Sequence, residues 1–225
     1  MHSVPPAEGR SSFIEQARQA QIIRATIDVV AEQGYGAASF ARIARRASIS
    51  PALINYHFRT KDSLMRGVLA TIEQRLDAAM AGTEDDEPET YPDALEGMLR
   101  RFAEHCWTHG EEITAMTEIR REMRSEILRE AVAQSHERGM AELVAFIREG
   151  QSYGQFRDVD PALFASVLMS AMGEFPRLPG NSAEERRRVA ADWVSLFVNA
   201  ISVTAGPGED ADHDPAGPTR SGSGA

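Results

Sequence analysis

The side chains best suited to chemistry stand in one short stretch, residues 39–61, which reads SFARIARRASISPALINYHFRTK. It combines cationic Arg and Lys side chains, which bind oxyanions, with Asn55, Tyr56 and His57, whose polar groups can hydrogen-bond inside a groove. The chemistry that this stretch indicates is binding through charge and hydrogen bonds.

A second candidate lies at residues 104–109, EHCWTH, where His105 and His109 stand four positions apart beside Cys106. Histidines at this spacing share one helix face and can ligate zinc, so a metal or redox sensor is an alternative hypothesis. No second cluster supplies further ligands, and Cys106 points about 100° away from His105 on a helix. The residues are more simply polar groups near a helix end, and no metal or cofactor is predicted.

Motifs of enzymes are missing from the chain. We find no GxSxG, no phosphate-binding loop with Lys-Ser/Thr, no HExxH and no paired cysteines. The stretch from Gly34 to Ser39 imitates a dinucleotide fingerprint, but it lacks the last glycine and follows a predicted helix. We therefore predict no enzyme, while an all-helical enzyme and a helical adaptor stay as alternatives.

The stretch 39–61 must fold as two short helices joined by a tight turn. Ser39 is a suitable N-cap for a helix over 40–47, and Ser50 caps a helix that starts at Pro51 and closes near Phe58. Helices this short are stable only when each buries a face on its neighbours. Facing inward are Phe40, Ile43, Ala44, Ala47, Ile49, Ile54 and Phe58. Facing outward on the later helix are Pro51, Ala52, Leu53, Asn55, Tyr56 and His57.

The apolar residues recur at helical spacing along the rest of the chain, which predicts an all-α fold. We expect nine helices, over 13–33, 40–47, 51–58, 61–80, 92–109, 113–123, 125–150, 161–175 and 184–203. The ends, 1–12 and 205–225, are rich in Pro, Gly and Ser and are predicted to be disordered tails. The predicted domains are 13–60, which contains the short helices, and a larger body, 61–204.

Charge is distributed unevenly along the chain, whose net charge is −10. Residues 1–66 contain nine basic and five acidic side chains and carry +4, so the remainder carries −14. A basic head on an acidic body is the pattern of a protein whose head contacts DNA, because attraction to phosphates is local. A helical hairpin used only for packing would need neither this charge nor the polar outer face.

The N-terminal residues lack the basic start and apolar run of a secretory signal, and no stretch approaches the roughly 20 apolar residues of a spanning helix. The single cysteine, Cys106, cannot form an internal disulfide, in agreement with a reducing compartment. We expect a cytoplasmic protein without a membrane partner.

The combination of residues 43–47, IARRA, with Ile49-Ser50, Tyr56-His57-Phe58 and Lys61 resembles the DNA-binding head of the TetR (tetracycline-repressor) family. The resemblance covers about residues 13–80 in detail. It implies a helix-turn-helix in which Ser50–His57 is the recognition helix, inserted in the major groove of double-stranded operator DNA. The DNA-contacting residues that it implies are Ser39, Arg45, Arg46, Ser50, Pro51, Ala52, Leu53, Asn55, Tyr56, His57 and Lys61.

Two residues depart from the family pattern. Ser48 stands where the family usually has glycine, and a left-handed backbone there would cost serine roughly 1 kcal/mol. Asn55 stands where an aromatic residue is common. Because Asn can hydrogen-bond both N6 and N7 of adenine, Asn55 is predicted to read a base, and the operator sequence is not transferable from relatives.

The acidic body is expected to contain a pocket for a small molecule and the homodimer interface, as the resemblance implies. Met and aromatic side chains suit an adaptable pocket, although the same spacing also describes plain core. The predicted pocket walls are Met98, Phe102, Trp107, Met116, Met123, Phe146, Met169 and Met172. The predicted interface residues are Leu163, Val167, Val189, Trp193, Leu196, Phe197, Ala200 and Ile201, with packing inside the monomer as the alternative.

A charged run within 118–126 alternates Arg120, Arg121 and Arg124 with glutamates, as a solvated face does. Its weaker alternative reading is that Arg120 or Arg124 pairs with an acidic ligand. The resemblance implies a transcriptional repressor released from a palindromic operator by a small-molecule effector, which the sequence does not identify.

Overall fold

The computed structural model describes residues 7–83 and 88–203 of the chain. Within these residues it contains nine α-helices and no β-strand, which confirms the predicted all-α fold. The helices are α1 Ala7–Gln33, α2 Phe40–Ala47, α3 Pro51–His57, α4 Lys61–Ala81, α5 Tyr91–Thr108, α6 Gly110–Glu122, α7 Glu126–Ser152, α8 Pro161–Glu174 and α9 Ala183–Ile201. Short 3₁₀ helices follow α1, at Tyr35–Ala37, and α8, at Phe175–Arg177.

Helix α1 begins at Ala7, six residues before the predicted start. The residues between Pro6 and Phe13 include a glycine and two serines, which are weak helix formers and suggested a tail. Proline is tolerated at the start of a helix, so Pro6 in the sequence does not prevent a start at Ala7. The remainder of the predicted tails, residues 1–6 and 205–225, lies outside the described residues.

The helix starts follow the capping residues in the sequence. The Ser39 and Ser50 hydroxyls accept hydrogen bonds from the backbone N–H of Arg42, at 3.3 Å, and of Leu53, at 3.2 Å. Thr60 caps α4 in the same way, through Ser63 N at 3.0 Å. Each cap satisfies a helix N–H that would otherwise lack a partner, which fixes where the short helices begin.

Two hydrophobic clusters hold the fold together. The first packs α1 to α3 against the first three turns of α4, through side chains such as Ile43, Ile54 and Val68, and it includes Ala115 and Ile119 of α6. The second cluster joins α5, α7, α8 and α9. The predicted domain boundary between residues 60 and 61 falls at the start of α4, so this helix belongs to the packing of the head and of the body.

Candidate DNA-binding surface and internal cavity

The helix-turn-helix is formed by α2, α3 and the turn between them. Ile43, Ala44 and Ile54 are buried between the helices and α1. Ser48 ends α2 with φ 54° and ψ 44°, the left-handed conformation expected from its place in the turn. It has the only positive φ of a residue other than glycine among the described residues.

The outer face of α3 is open to solvent. Pro51, Ala52, Asn55 and Tyr56 are exposed, and Leu53 and His57 are half-buried. The rings of Tyr56 and His57 meet edge to face, with centroids 5.1 Å apart. Side chains of this size on a protruding helix fit the major groove, whose base edges offer hydrogen-bond partners.

The basic side chains predicted to contact DNA differ in whether they already have partners within the protein. The Nζ atom of Lys61 donates to the Tyr35 carbonyl at 2.8 Å and lies 3.9 Å from the Tyr35 ring centroid. Partial burial lowers the pKa of Lys61, against the opposite effect of Asp62. Arg46 lies back against α1, where it pairs with Glu32 and, at 3.2 Å, with Asp28. Arg45 is exposed and forms no ion pair with the described residues, so its guanidinium is open to a partner outside the chain.

A chain of ion pairs connects the head with α6. Arg24 of α1 contacts Asp28 at 3.1 Å and Glu111 of α6 at 2.7 Å, and its Nη1 lies 4.0 Å from Glu112. Glu112 is 2% exposed and pairs with Arg75 of α4 through Oε1, while its Oε2 has no hydrogen-bond partner in the described part of the chain. The sequence did not reveal this network, because acidic residues in a first helical turn are ordinary partners of the helix dipole.

A cavity of about 1010 Å³, partly open to solvent, lies among α4, α5, α6, α7 and α8. Seven of the eight predicted wall residues line it: Met98, Phe102, Met116, Met123, Phe146, Met169 and Met172. The prediction for Trp107 is wrong, since its ring packs on Phe175 instead, with centroids 5.2 Å apart. Apolar walls that the sequence analysis missed include Leu76, Met80, Ile113 and Leu143. A volume of this size, with mostly apolar walls, suits a small organic molecule.

One end of the cavity is polar. Glu73 of α4 accepts hydrogen bonds from Arg120 of α6, at 2.9 Å, and from Ser135 of α7, at 3.0 Å. Arg138 and Asp77 line the same end. Burial raises the pKa of Asp77, as do the nearby carboxylates Glu142 and Glu73, whereas Arg138 acts in the opposite direction. Sequence reasoning named Arg120 only as a weak alternative and missed its partner Glu73, which lies 47 positions away.

The three residues of the alternative metal site do not converge. The rings of His105 and His109 stack with centroids 4.2 Å apart and an interplanar angle of 13°, so their nitrogens lie in nearly parallel planes. Burial lowers the pKa of His105, and burial raises the pKa of the Cys106 thiol to about 12. Across residues 7–83 and 88–203, no group of three His, Cys, Asp or Glu side chains could hold a metal ion. The structure therefore gives a sensor at these residues no support.

Helices α8 and α9 present an apolar face to solvent. Leu163, Val167 and Leu196 are 65%, 53% and 64% exposed. Trp193, Phe197 and Ile201, which were predicted in the same interface, are buried in the monomer, where the Trp193 ring packs on Phe175 and Phe102. The helical spacing showed that these residues share α9 with the interface residues. It did not distinguish the face of α9 that packs on the monomer core from the face that is exposed. Ala200 is exposed, and Val189 is half-buried.

The sequence matches known proteins through its N-terminal part. The model of the tetR family of bacterial regulatory proteins matches residues 22–68. The HTH-type transcriptional regulator BetI 2 of Chromohalobacter salexigens is 34% identical over 86 residues, which make up 36% of this chain and 42% of the relative. BetI of Proteus mirabilis is 37% identical over 68 residues, 30% of this chain and 34% of the relative. The chain thus aligns with less than half the length of these relatives.

Solved structures resemble the whole described fold. A tetR-family regulatory protein from Rhodococcus RHA1 superposes with a TM-score of 0.69 at 23% identity, over 83% of this chain and 97% of that chain. The ketosteroid transcriptional regulator KstR2 of Mycobacterium tuberculosis superposes with a TM-score of 0.64 at 18% identity, over 83% and 96%. No helix in the described ranges has the length and apolar character needed to cross a membrane. Residues 22–68 of the chain thus match the tetR family of bacterial regulatory proteins, and the described part of the chain shares its fold with these solved structures.

Proposed function

We propose that this chain is a DNA-binding transcriptional regulator of the bacterial cytoplasm, a repressor that leaves a palindromic operator when a small-molecule effector binds. The observation that carries the proposal is the outer face of α3, where Asn55 and Tyr56 project into solvent from a helix whose other face is buried. The match over residues 22–68 and the names of the BetI relatives support a regulatory role and not an enzymatic one.

The regulator acts as a homodimer in this proposal. Leu163, Val167, Leu196 and Ala200 are the members of the predicted interface set that are exposed on α8 and α9. The two helices are joined by a contact between the rings of Phe164 and Phe197, and large apolar side chains grouped on a surface mark interaction sites. A two-fold interface at α8 and α9 would bring two recognition helices to half-sites about 34 Å apart, as a palindrome requires.

The effector binds in the cavity among α4 to α8 in this proposal. Helix α4 lines the cavity with Leu76 and Met80, and its first residue, Lys61, is fixed to the head through Tyr35. Helix α6 lines the cavity with Ile113 and contacts the head through the ion pair of Glu111 with Arg24. A ligand that prefers a different position of α4 or α6 would change the spacing of the two heads.

Footprinting on the DNA upstream of the chain's own gene tests this function. We expect the purified protein to protect two half-sites related by a two-fold axis and separated by one helical turn or a multiple of it. The variant Asn55→Ala should alter the protected sequence, whereas Glu96→Gln, on an exposed part of α5, should leave it unchanged. Protection of a single half-site by a monomer, or no protection at low salt, would refute the dimeric regulator.

A further inference from the structure

The carboxylate of Glu73 occupies a small binding site at the polar end of the cavity. Arg120 donates to one of its oxygens at 2.9 Å, and the Ser135 hydroxyl donates to the other at 3.0 Å. These three side chains come from three different helices, α4, α6 and α7, and all three line the cavity. A guanidinium and a hydroxyl directed at the two oxygens of one carboxylate form a site for carboxylates, which α4 fills with its own side chain.

A second guanidinium stands beside this site. Arg138 follows Ser135 by three residues on α7 and therefore shares its helix face. It lines the cavity but forms no hydrogen bond or ion pair with any residue of 7–83 or 88–203, and it acts on Asp77 only at longer range. In all, five arginines and three carboxylates line the cavity. The polar end therefore has an unused cation available for an anionic ligand.

The remaining walls are apolar and adaptable. Side chains such as Met80, Met98, Phe146 and Met172 surround most of the volume of about 1010 Å³. Methionine side chains can adjust to the shape of an apolar ligand. These walls therefore select for an apolar ligand more than for one particular shape. The cavity thus combines a carboxylate site at one end with a chamber for an extended hydrocarbon group.

We propose that the effector is an apolar carboxylic acid whose carboxylate takes the place of Glu73 on Arg120 and Ser135. This inference rests on the proposed function, since it names the ligand class of the same cavity. Arg138 would provide the additional positive charge, and the hydrocarbon part would occupy the methionine-lined chamber.

Displacement of Glu73 supplies a route from the ligand to α4. In the structure, Glu73 ties α4 to both α6 and α7. Once displaced, its carboxylate would stand near Asp77 of the same helix and Glu142 of α7. These two carboxylates carry like charges and already repel one another. Repulsion between these groups would favour a movement of α4 away from α7. The same helix begins at Lys61, beside the DNA-binding head.

Calorimetric titration with three ten-carbon probes tests the ligand class directly: decanoate, decanol and decyltrimethylammonium. We expect decanoate to bind the wild-type protein about tenfold to a hundredfold more tightly than decanol, as charge-assisted hydrogen bonds allow. Arg120→Gln should abolish this preference. Glu73→Gln should strengthen decanoate binding, because it weakens the internal competitor. A merely structural Glu73 would not produce opposite effects in these two variants.

The ion pair between Glu96 and Arg100, on α5 and outside the cavity, offers matched controls. Glu96→Gln and Arg100→Gln should leave decanoate affinity unchanged. Ser135→Ala is a milder change that can be used if Glu73→Gln does not fold. It is expected to weaken decanoate binding and to leave decanol binding unchanged. Equal binding of decanoate and decanol, preference for the cation, or weaker decanoate binding by Glu73→Gln would overturn the proposal.

Binding to the upstream DNA provides the second test. Glu73→Gln without any ligand weakens the ties of α4 to α6 and α7, so it should lower the affinity for DNA. The loss should be smaller than the one decanoate causes in the wild-type protein, because Gln lacks the charge that would repel Asp77 and Glu142. Decanoate should release the wild-type protein from DNA but not the Arg120→Gln variant. If the wild-type protein binds no DNA at all, the proposed function fails while the calorimetric result still decides the ligand class. If DNA binding is sound and decanoate has no effect on it, the displacement of Glu73 is refuted.

Discussion

Arg75 and Glu112 form an ion pair in which only the glutamate is buried. The Glu112 side chain is 2% exposed, whereas the Arg75 side chain is 46% exposed. Burial of a carboxylate is costly unless a cation compensates it, and Arg24 provides only a distant second contact at 4.0 Å. The pair therefore joins α4 to α6 at the point where both helices meet the head.

Removing the two partners of this pair should have unequal effects. Arg75→Met leaves a buried carboxylate without its main partner and should destabilise the protein by about 3 kcal/mol. Glu112→Gln leaves an arginine that water can solvate, so the expected loss is about 1 kcal/mol. Urea denaturation at a fixed protein concentration measures both values. As a control, Arg100→Met removes an exposed ion pair and should cost less than about 1 kcal/mol. Equal losses for Arg75→Met and Glu112→Gln would contradict the unequal burial of the two partners.

Ser48→Gly should stabilise the protein. Ser48 has a φ of 54°, and glycine adopts this conformation without the steric cost of a Cβ, which amounts to roughly 1 kcal/mol. For a chain of this size, that gain corresponds to a rise in Tm of about 2–4 °C. Scanning calorimetry of Ser48→Gly and Ser48→Ala distinguishes the cause, because alanine retains the Cβ. If Ser48→Ala raises Tm as much as Ser48→Gly does, backbone strain is not responsible.

Asn55 and Lys61 should affect DNA binding in different ways. The Asn55 amide is exposed and forms no hydrogen bond with the described residues, so Asn55→Ala should change the order of preference among operator variants. Lys61→Gln should weaken binding to all of them and reduce the slope of log affinity against log salt by about one. Fluorescence anisotropy over a range of salt concentrations measures both properties. Unchanged preference in Asn55→Ala would remove its role in base recognition, and an unchanged slope in Lys61→Gln would mean that Lys61 stays on Tyr35.

Leu196→Glu should convert the proposed homodimer to a monomer and abolish high-affinity DNA binding. Leu196 is 64% exposed within the monomer, so the substitution should not disturb its core, but it would place a charge in an apolar interface. Sedimentation equilibrium gives the mass of the particle. Ile127→Glu is a suitable control, because Ile127 is 58% exposed on α7, outside the proposed interface. A Leu196→Glu dimer would move the interface elsewhere.

Local rules were sufficient for the head. Ser39, Ser50 and Thr60 are capping residues whose hydrogen bonds are made within three positions along the chain, and the turn at Ser48 is equally local. The sequence therefore predicted where α2, α3 and α4 begin, while the left-handed backbone at Ser48 was indicated by the glycine that the resembled family usually has there. The start of α1 was less accurate, because weak helix formers after Pro6 resemble a tail.

The body was predictable in type but not in orientation. Helical spacing identified apolar side chains correctly, and most of the expected cavity walls do line the cavity. It did not reveal that Trp107 and Trp193 both turn toward Phe175, because that depends on how helices pack. The contacts of Glu73 with Arg120 and Ser135 join residues 47 and 62 positions apart. No local pattern specifies such contacts, so the polar end of the cavity required the structure.

A salt titration of DNA binding tests the regulatory role most directly. Wild-type protein would be titrated against the upstream DNA of its own gene and against a scrambled duplex of the same composition, from low to physiological salt. We expect the affinity for both duplexes to fall as salt rises. At physiological salt the protein should still bind the upstream DNA at least about a thousandfold more tightly than the scrambled duplex. Equal affinity for the two duplexes at every salt concentration, or no binding at low salt, would contradict a sequence-specific regulator.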